Sequence, residues 1–220
     1  MRVQMVLRGV AFAIACMAAL GAILPAIAAD KPVNIVALGD SLTAGLGLPT
    51  QDAFPAKLQQ ALAAKGIAVT IRDAGVSGDT ASGGLARLDW SVPADADAVI
   101  LELGANDALR GLDPTVTRRA LDGILRGLAK RNIPVLLCGM LSPRNLGADY
   151  AQAFDAIFPD LAKTYDAVFY PFFLEGVATD PKLIQRDGLH PTAGGVDVIV
   201  ARILPKVEEL IARVRAKGGT

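Results

Sequence analysis

Val33-Asn34-Ile35-Val36-Ala37-Leu38-Gly39-Asp40-Ser41-Leu42 is a short apolar run that stops at a glycine and leaves an acid and a hydroxyl at its exit. A run of this length, bounded by a turn residue, predicts a strand buried on both faces. The strand is placed at Asn34–Leu38, and similar runs at Val69–Asp73, Ala98–Leu103, Val135–Met140 and Ala167–Tyr170 make five. Between them, Phe54–Lys65, Pro114–Arg131 and Ala148–Tyr165 carry apolar residues at helical spacing, and Gly194–Lys217 closes the chain as a further helix. Strands alternating with amphipathic helices predict an α/β fold with a parallel sheet covered on both sides. Asp113 before Pro114 reads as an N-cap followed by proline at the first helical position, Gly66 as a glycine just past a helix end, and Pro205 as a kink in the last helix.

In an open parallel sheet, reactive groups gather in the loops beyond the carboxyl ends of the strands. Four loops qualify: Gly39-Asp40-Ser41-Leu42, Gly75-Val76-Ser77-Gly78-Asp79, Gly104-Ala105-Asn106-Asp107 and Asp187-Gly188-Leu189-His190-Pro191. The chain has one histidine, so an imidazole base at neutral pH has a single source, His190. Asp187, three residues earlier in a loop with Gly188 and Pro191, is placed to hold one imidazole nitrogen. A serine hydroxyl needs such a base to become a nucleophile, and Ser41 is the best-placed candidate. Ser77 and Ser82 compete, but the sequence around Ser77 lacks the last glycine of a G-x-S-x-G elbow. Acyl transfer also needs donors aimed at the developing oxyanion, which Gly78 and Asn106 can supply. Taken singly, each has a plainer reading: Ser41 as a helix N-cap, His190 as a surface residue, Gly78 and Asn106 as turn formers. Asp40, Asp79 and Asp107 are expected to order their loops rather than form a glycosidase pair.

The 220 residues suit one domain, with 52% hydrophobic and 20% charged residues. Residues 1–29 read as a signal peptide: Arg2 and Arg8, an apolar run from Gly9 to Ile27, and Ala26-Ile27-Ala28 before cleavage after Ala28 or Ala29. The alternative is an uncleaved membrane anchor. Residues 30–220 form the expected mature domain, periplasmic or secreted. Cleavage removes two of the 22 basic residues against 22 acidic ones, a balance of −2 that implies no nucleic-acid partner. Cys16 leaves with the leader, so Cys138 has no disulfide partner and is expected to be a small buried apolar residue. One histidine and one cysteine exclude a usual zinc site and leave only a carboxylate site for calcium open. Gly45-Leu46-Gly47 lacks the third glycine of a dinucleotide fingerprint, and no P-loop is present.

Gly39-Asp40-Ser41-Leu42, Gly78, Gly104-Ala105-Asn106-Asp107 and Asp187-x-x-His190 resemble, in order and content, the four blocks of the SGNH (GDSL) hydrolase family. Ser77-Gly78-Asp79-Thr80, Glu102-Leu103-Gly104 and Pro171-Phe172-Phe173 extend the resemblance to the bacterial periplasmic thioesterase I/lysophospholipase/arylesterase group over about Val33 to Ile211. The resemblance implies a three-layer flavodoxin-like fold with a five-stranded parallel sheet, and an ester or thioester hydrolase without a cofactor. It implies Ser41 as nucleophile, His190 as base and then acid, Asp187 as orienting carboxylate, and an oxyanion hole of the Ser41 and Gly78 amides with the Asn106 side chain. Ala105 departs from the family's usual Gly-Gly-Asn-Asp, and the loop Ser142–Gly147 departs further in a region that shapes the acyl pocket of relatives. The expected partner is a small-molecule or lipid ester, met by a monomer, with transient membrane-surface contact left open; aryl and lysophospholipid-type esters are favoured over acyl-CoA. A carbohydrate O-deacetylase on the same blocks is the alternative.

Overall fold

The computed structural model describes residues 31–218; the expected leader at 1–29 lies outside them. Five strands, β1 (Val33–Gly39), β2 (Val69–Gly75), β3 (Ala98–Glu102), β4 (Val135–Cys138) and β5 (Val168–Tyr170), form one parallel sheet in the order β2-β1-β3-β4-β5. This is the flavodoxin-like order, with the chain reversing direction across the sheet between β1 and β3. The helices are α1 (Ser41–Ala44), α2 (Phe54–Ala64), α3 (Ala81–Ala86), α4 (Leu88–Ser91), α5 (Ala105–Leu109), α6 (Pro114–Lys130), α7 (Ala148–Asp155), α8 (Ile157–Thr164) and α9 (Ala193–Gly218). One face is covered by α2 packed on α9, the other by α6 with α3 and α8.

The core follows from the strand pattern. All five residues of β3 are buried, as is every residue of β4, because strands inside a parallel sheet meet helices on both faces. On α6 the buried set is Thr117, Ala120, Leu121, Ile124, Leu125 and Leu128, the three-and-four spacing that lays one stripe against the sheet. Asp113 caps it by accepting the Thr115 N–H at 2.8 Å, and Gly66, with φ of 73°, closes α2 as expected. Phe54 of α2 meets Phe173 edge-to-face at 5.0 Å, tying the first helix to the segment after β5. Cys138 is a free, fully buried thiol at the end of β4, and burial raises its pKa well above the ordinary value.

Two expectations need correction. β2 is an edge strand with no fully buried residue, so it is not covered on both faces; Thr70, Arg72 and Asp73 are the polar residues that such an edge tolerates. The segment Ala148–Tyr165 is two helices, because Pro159 has no N–H for the Asp155 carbonyl and its ring crowds that group. The last helix, α9, runs on through Pro205, with Ala201, whose carbonyl loses its helical donor there, exposed to solvent.

The end of β2 makes room for the first loop. A Cβ on Gly75 would fall within contact distance of the Ala44 backbone and 2.8 Å from the Asp40 carbonyl oxygen. Since backbone cannot rotate aside as a side chain can, Gly75→Ala is expected to destabilise the protein by about 3 kcal/mol, at the upper end for overpacking. A urea denaturation midpoint measures it; a change under about 1 kcal/mol would mean that the loop yields without cost.

Candidate active site

Each of the four loops brings its residue to one place. Ser41 is the first residue of α1, and Asp40 caps that helix by accepting the Leu42 N–H at 2.9 Å. The cap holds the hydroxyl at the helix start, where backbone N–H groups lack helical partners. Gly78, with φ of 86°, lies in the turn after β2, and Arg110 of the α5 exit donates to its carbonyl at 2.7 Å. Asn106 lies in the first turn of α5, just beyond β3.

The last loop is braced independently. Ile184 and Pro191 form an antiparallel bridge, and Gln185 donates from Nε2 to the Leu46 and Pro191 carbonyls at 2.8 and 2.9 Å. Gly188, with φ of 74°, turns the chain between Asp187 and His190. Asp187 Oδ1 accepts the Leu189 and His190 N–H groups at 2.9 and 3.1 Å, and Oδ2 lies 2.6 Å from His190 Nδ1. Those backbone bonds, then the imidazole bond, lower the Asp187 pKa to about 2, so the carboxylate is ionised across the physiological range. His190 Nε2 lies 2.9 Å from Ser41 Oγ. Hydroxyl, imidazole and carboxylate thus stand in one hydrogen-bonded line, although Ser41 and His190 are 149 residues apart.

Asn106 lines the same trough as Ser41 and His190. Its Nδ2 faces the site but is already engaged, donating to Asp40 Oδ2 and to the Asp79 carbonyl, both at 3.0 Å. The amide is therefore held in place before any substrate arrives. The three loop acids do order their surroundings: Asp79 pairs with Arg87 at 2.6 Å, and Asp107 accepts Ala81 N–H at 2.8 Å and Thr117 Oγ1 at 3.0 Å. Asp40 does more, since burial raises its pKa to about 6 beside Glu102.

Ser41, Gly78, Asn106 and His190 line a trough of about 290 Å³ whose remaining walls include Leu46, Leu109, Met140, Leu141, Phe172 and Leu189. Leu46, Leu109, Leu141 and Leu189 are 44–52% exposed, an apolar rim around the opening. A larger hollow of about 430 Å³ lies at the amino ends of β4 and β5, lined by Leu125, Tyr165, Asp166 and Arg213 among others, and includes none of Ser41, Gly78, Asn106 or His190. Among the described residues, no cluster of three or more His, Cys, Asp or Glu is arranged to hold a metal. No helix among them is long and apolar enough to cross a membrane.

Sequence reasoning did not single out Arg110, Gln185 or Arg87, which brace these loops. Arg87 is buried and donates to the Gly39 and Ala74 carbonyls, both at 2.8 Å. An arginine between the glycine-containing α3 and the short α4 was the available signal, but nothing local to it names the carbonyls it serves.

A serine hydroxyl in line with an imidazole and an acid, at the carboxyl edge of a 2-1-3-4-5 sheet, defines the SGNH type of hydrolase. The profile of the GDSL-like lipase/acylhydrolase family matches residues 37–198, and the chain belongs to that family of carboxylic ester hydrolases. Esterase TesA of Pseudomonas aeruginosa is 35% identical over 179 residues, covering 81% of this chain and 89% of that protein. The thioesterase 1/protease 1/lysophospholipase L1 of Escherichia coli is 37% identical over 187 residues, covering 84% and 87%. Among solved structures, the SGNH-hydrolase family esterase AlinE4 is 49% identical with a TM-score of 0.70, over 81% of this chain and 96% of that one.

Proposed function

We propose that the protein is an exported serine esterase acting on aryl and lysophospholipid-type carboxylic esters, and secondarily on acyl thioesters. The observation that carries the reading is the 2.9 Å contact of His190 Nε2 with Ser41 Oγ, backed by Asp187 at 2.6 Å on the other ring nitrogen. Ser41 Oγ attacks the ester carbonyl carbon as its proton passes to His190 Nε2. The carbonyl oxygen becomes an oxyanion facing the Ser41 and Gly78 N–H groups and Asn106 Nδ2, which shares a hydrogen now given to Asp40 or Asp79. Collapse expels the alcohol or thiol, which takes the proton from His190. Water, deprotonated by the same imidazole, then attacks the acyl-enzyme and releases the acid.

The trough supports the substrate class. Apart from Ser41, Asn106 and His190, its lining side chains carry no oxygen or nitrogen, so sugar hydroxyls would lose water without gaining partners. That disfavours a carbohydrate O-deacetylase. An acyl chain loses nothing there, and each methylene buried contributes about 0.8 kcal/mol. With p-nitrophenyl esters of graded length, kcat/KM is expected to rise about fourfold per methylene until the trough is filled. A preference for acetylated sugars over every longer acyl ester would overturn the assignment.

Export is supported by the basic, apolar and small-residue succession of residues 2–29. It places the enzyme where coenzyme A is scarce, which favours oxyesters. Mass spectrometry of the protein recovered from the cell envelope is expected to show an amino terminus at Ala29 or Asp30; recovery only of the uncleaved chain would favour the membrane anchor.

A further inference from the structure

Beneath the Ser41 loop lie two carboxyls that the hydrolytic steps do not use. Glu102, the last residue of β3, is fully buried. Its Oε2 accepts from the Thr43 hydroxyl at 2.8 Å and from the Asp40 N–H at 3.3 Å, while Oε1 is buried with no hydrogen-bond partner. Asp40 is buried as well; its two oxygens accept the Leu42 N–H and the Asn106 amide. Gly39 creates the space, since a Cβ there would overlap Thr43 and stand 2.7 Å from Glu102 Oε2. Arg87, the only buried basic residue among the described ones, commits its guanidinium to Asp79, Ser91 and the Gly39 and Ala74 carbonyls.

Two ionised carboxylates in this space would repel each other and each would bear a desolvation cost. A proton on Glu102 relieves both problems, because the two carboxyls can then share a hydrogen bond and one charge is buried in place of two. Burial, then the charge of Asp40, raises Glu102 well above the ordinary carboxyl range, whereas Asp40 rises only to about 6, so at neutral pH the charge sits on Asp40. The titratable groups that interact with Glu102 are Asp40 and, from β4, Cys138; His190 also acts on Asp40 from the last loop.

We infer that Glu102 is a positioning residue for the oxyanion hole: in its neutral form it supports an ionised Asp40, and Asp40 holds the Asn106 amide and the Leu42 N–H in register with Ser41. The inference rests on Asn106 being an oxyanion donor. Glutamine can reproduce the neutral acid, with its oxygen accepting from Thr43 and Asp40 N–H and its nitrogen donating toward Asp40. Leucine fills similar volume and supports nothing.

Four measurements on the mature protein test it. The infrared carbonyl stretch of a protonated carboxylic acid is expected in the wild type at pH 7 and absent in Glu102→Gln. That variant is expected to keep kcat within about fivefold, while Glu102→Leu loses on the order of tenfold to a hundredfold in kcat with little change in KM, less than removal of an oxyanion donor itself. In an Asn106→Ala background, Glu102→Leu is expected to cost little more, because both act through one amide. A wild type without the protonated-acid band, a glutamine variant as slow as the leucine one, a folded leucine variant at full kcat, or losses that multiply with Asn106→Ala each overturn the inference. If Asn106→Ala alone leaves kcat unchanged, the oxyanion reading has failed and this role falls with it, a pattern distinct from the other four.

Discussion

Ser41→Ala is expected to leave the fold intact and to lower ester hydrolysis by at least about a thousandfold. The fold should survive because the helix cap is Asp40, not Ser41, and because the lost hydroxyl bonds to His190, which itself stays anchored to Asp187. The rate should collapse because, among the described residues, Ser41 is the hydroxyl that His190 Nε2 contacts. Circular dichroism and a thermal melt check the first half, and initial rates on an aryl ester the second. A fluorophosphonate adduct should map to Ser41 in the wild type and disappear in the variant. Loss of less than about tenfold would move the nucleophile to Ser77 or Ser82, the competitors on the neighbouring segment.

The second large effect is expected from Asp187→Asn, at about a thousandfold in kcat. The acid holds the ring through three bonds: Oδ1 takes the Leu189 and His190 N–H groups, and Oδ2 takes the Nδ1 proton. Asparagine can keep the first two with its oxygen, which turns its NH₂ toward Nδ1. That nitrogen must then become an acceptor, so the ring proton shifts to Nε2 and points at Ser41 Oγ. A base has been converted into a donor with no change of shape. Where the acid is deeply buried the corresponding change costs about ten-thousandfold; here the side chain is 43% exposed, and solvent softens the loss. A variant that retains more than about a tenth of kcat would show that the hydrogen bond orients nothing.

The parts of this architecture that were legible in the sequence are those set by local chemistry. Three glycine-containing loops after strands and a fourth before the last helix placed Ser41, Gly78, Asn106 and His190 together, and all four line one trough. A solitary histidine made that base assignment almost an elimination. Strand order is different, because it depends on which neighbour each strand finds; Val69–Asp73 was grouped with the apolar strands although Thr70, Arg72 and Asp73 interrupt it, and the segment sits on the edge. Helical periodicity continued across Pro159 and concealed the break between α7 and α8. The Glu102–Asp40 contact, 62 residues apart in sequence, depends on β3 lying beside β1, and no spacing rule announces it.

The inert thiol of β4 has a practical consequence. Among the described residues the folded enzyme offers maleimide reagents no accessible sulfhydryl, because Cys138 is walled in and held protonated, and the proposed cleavage after residue 28 or 29 would remove Cys16. A cysteine introduced on the outer surface, for example in place of the 73% exposed Trp90, becomes a single attachment point for a fluorophore or a solid support. Immobilised preparations of defined orientation are therefore within reach without first removing a native sulfur.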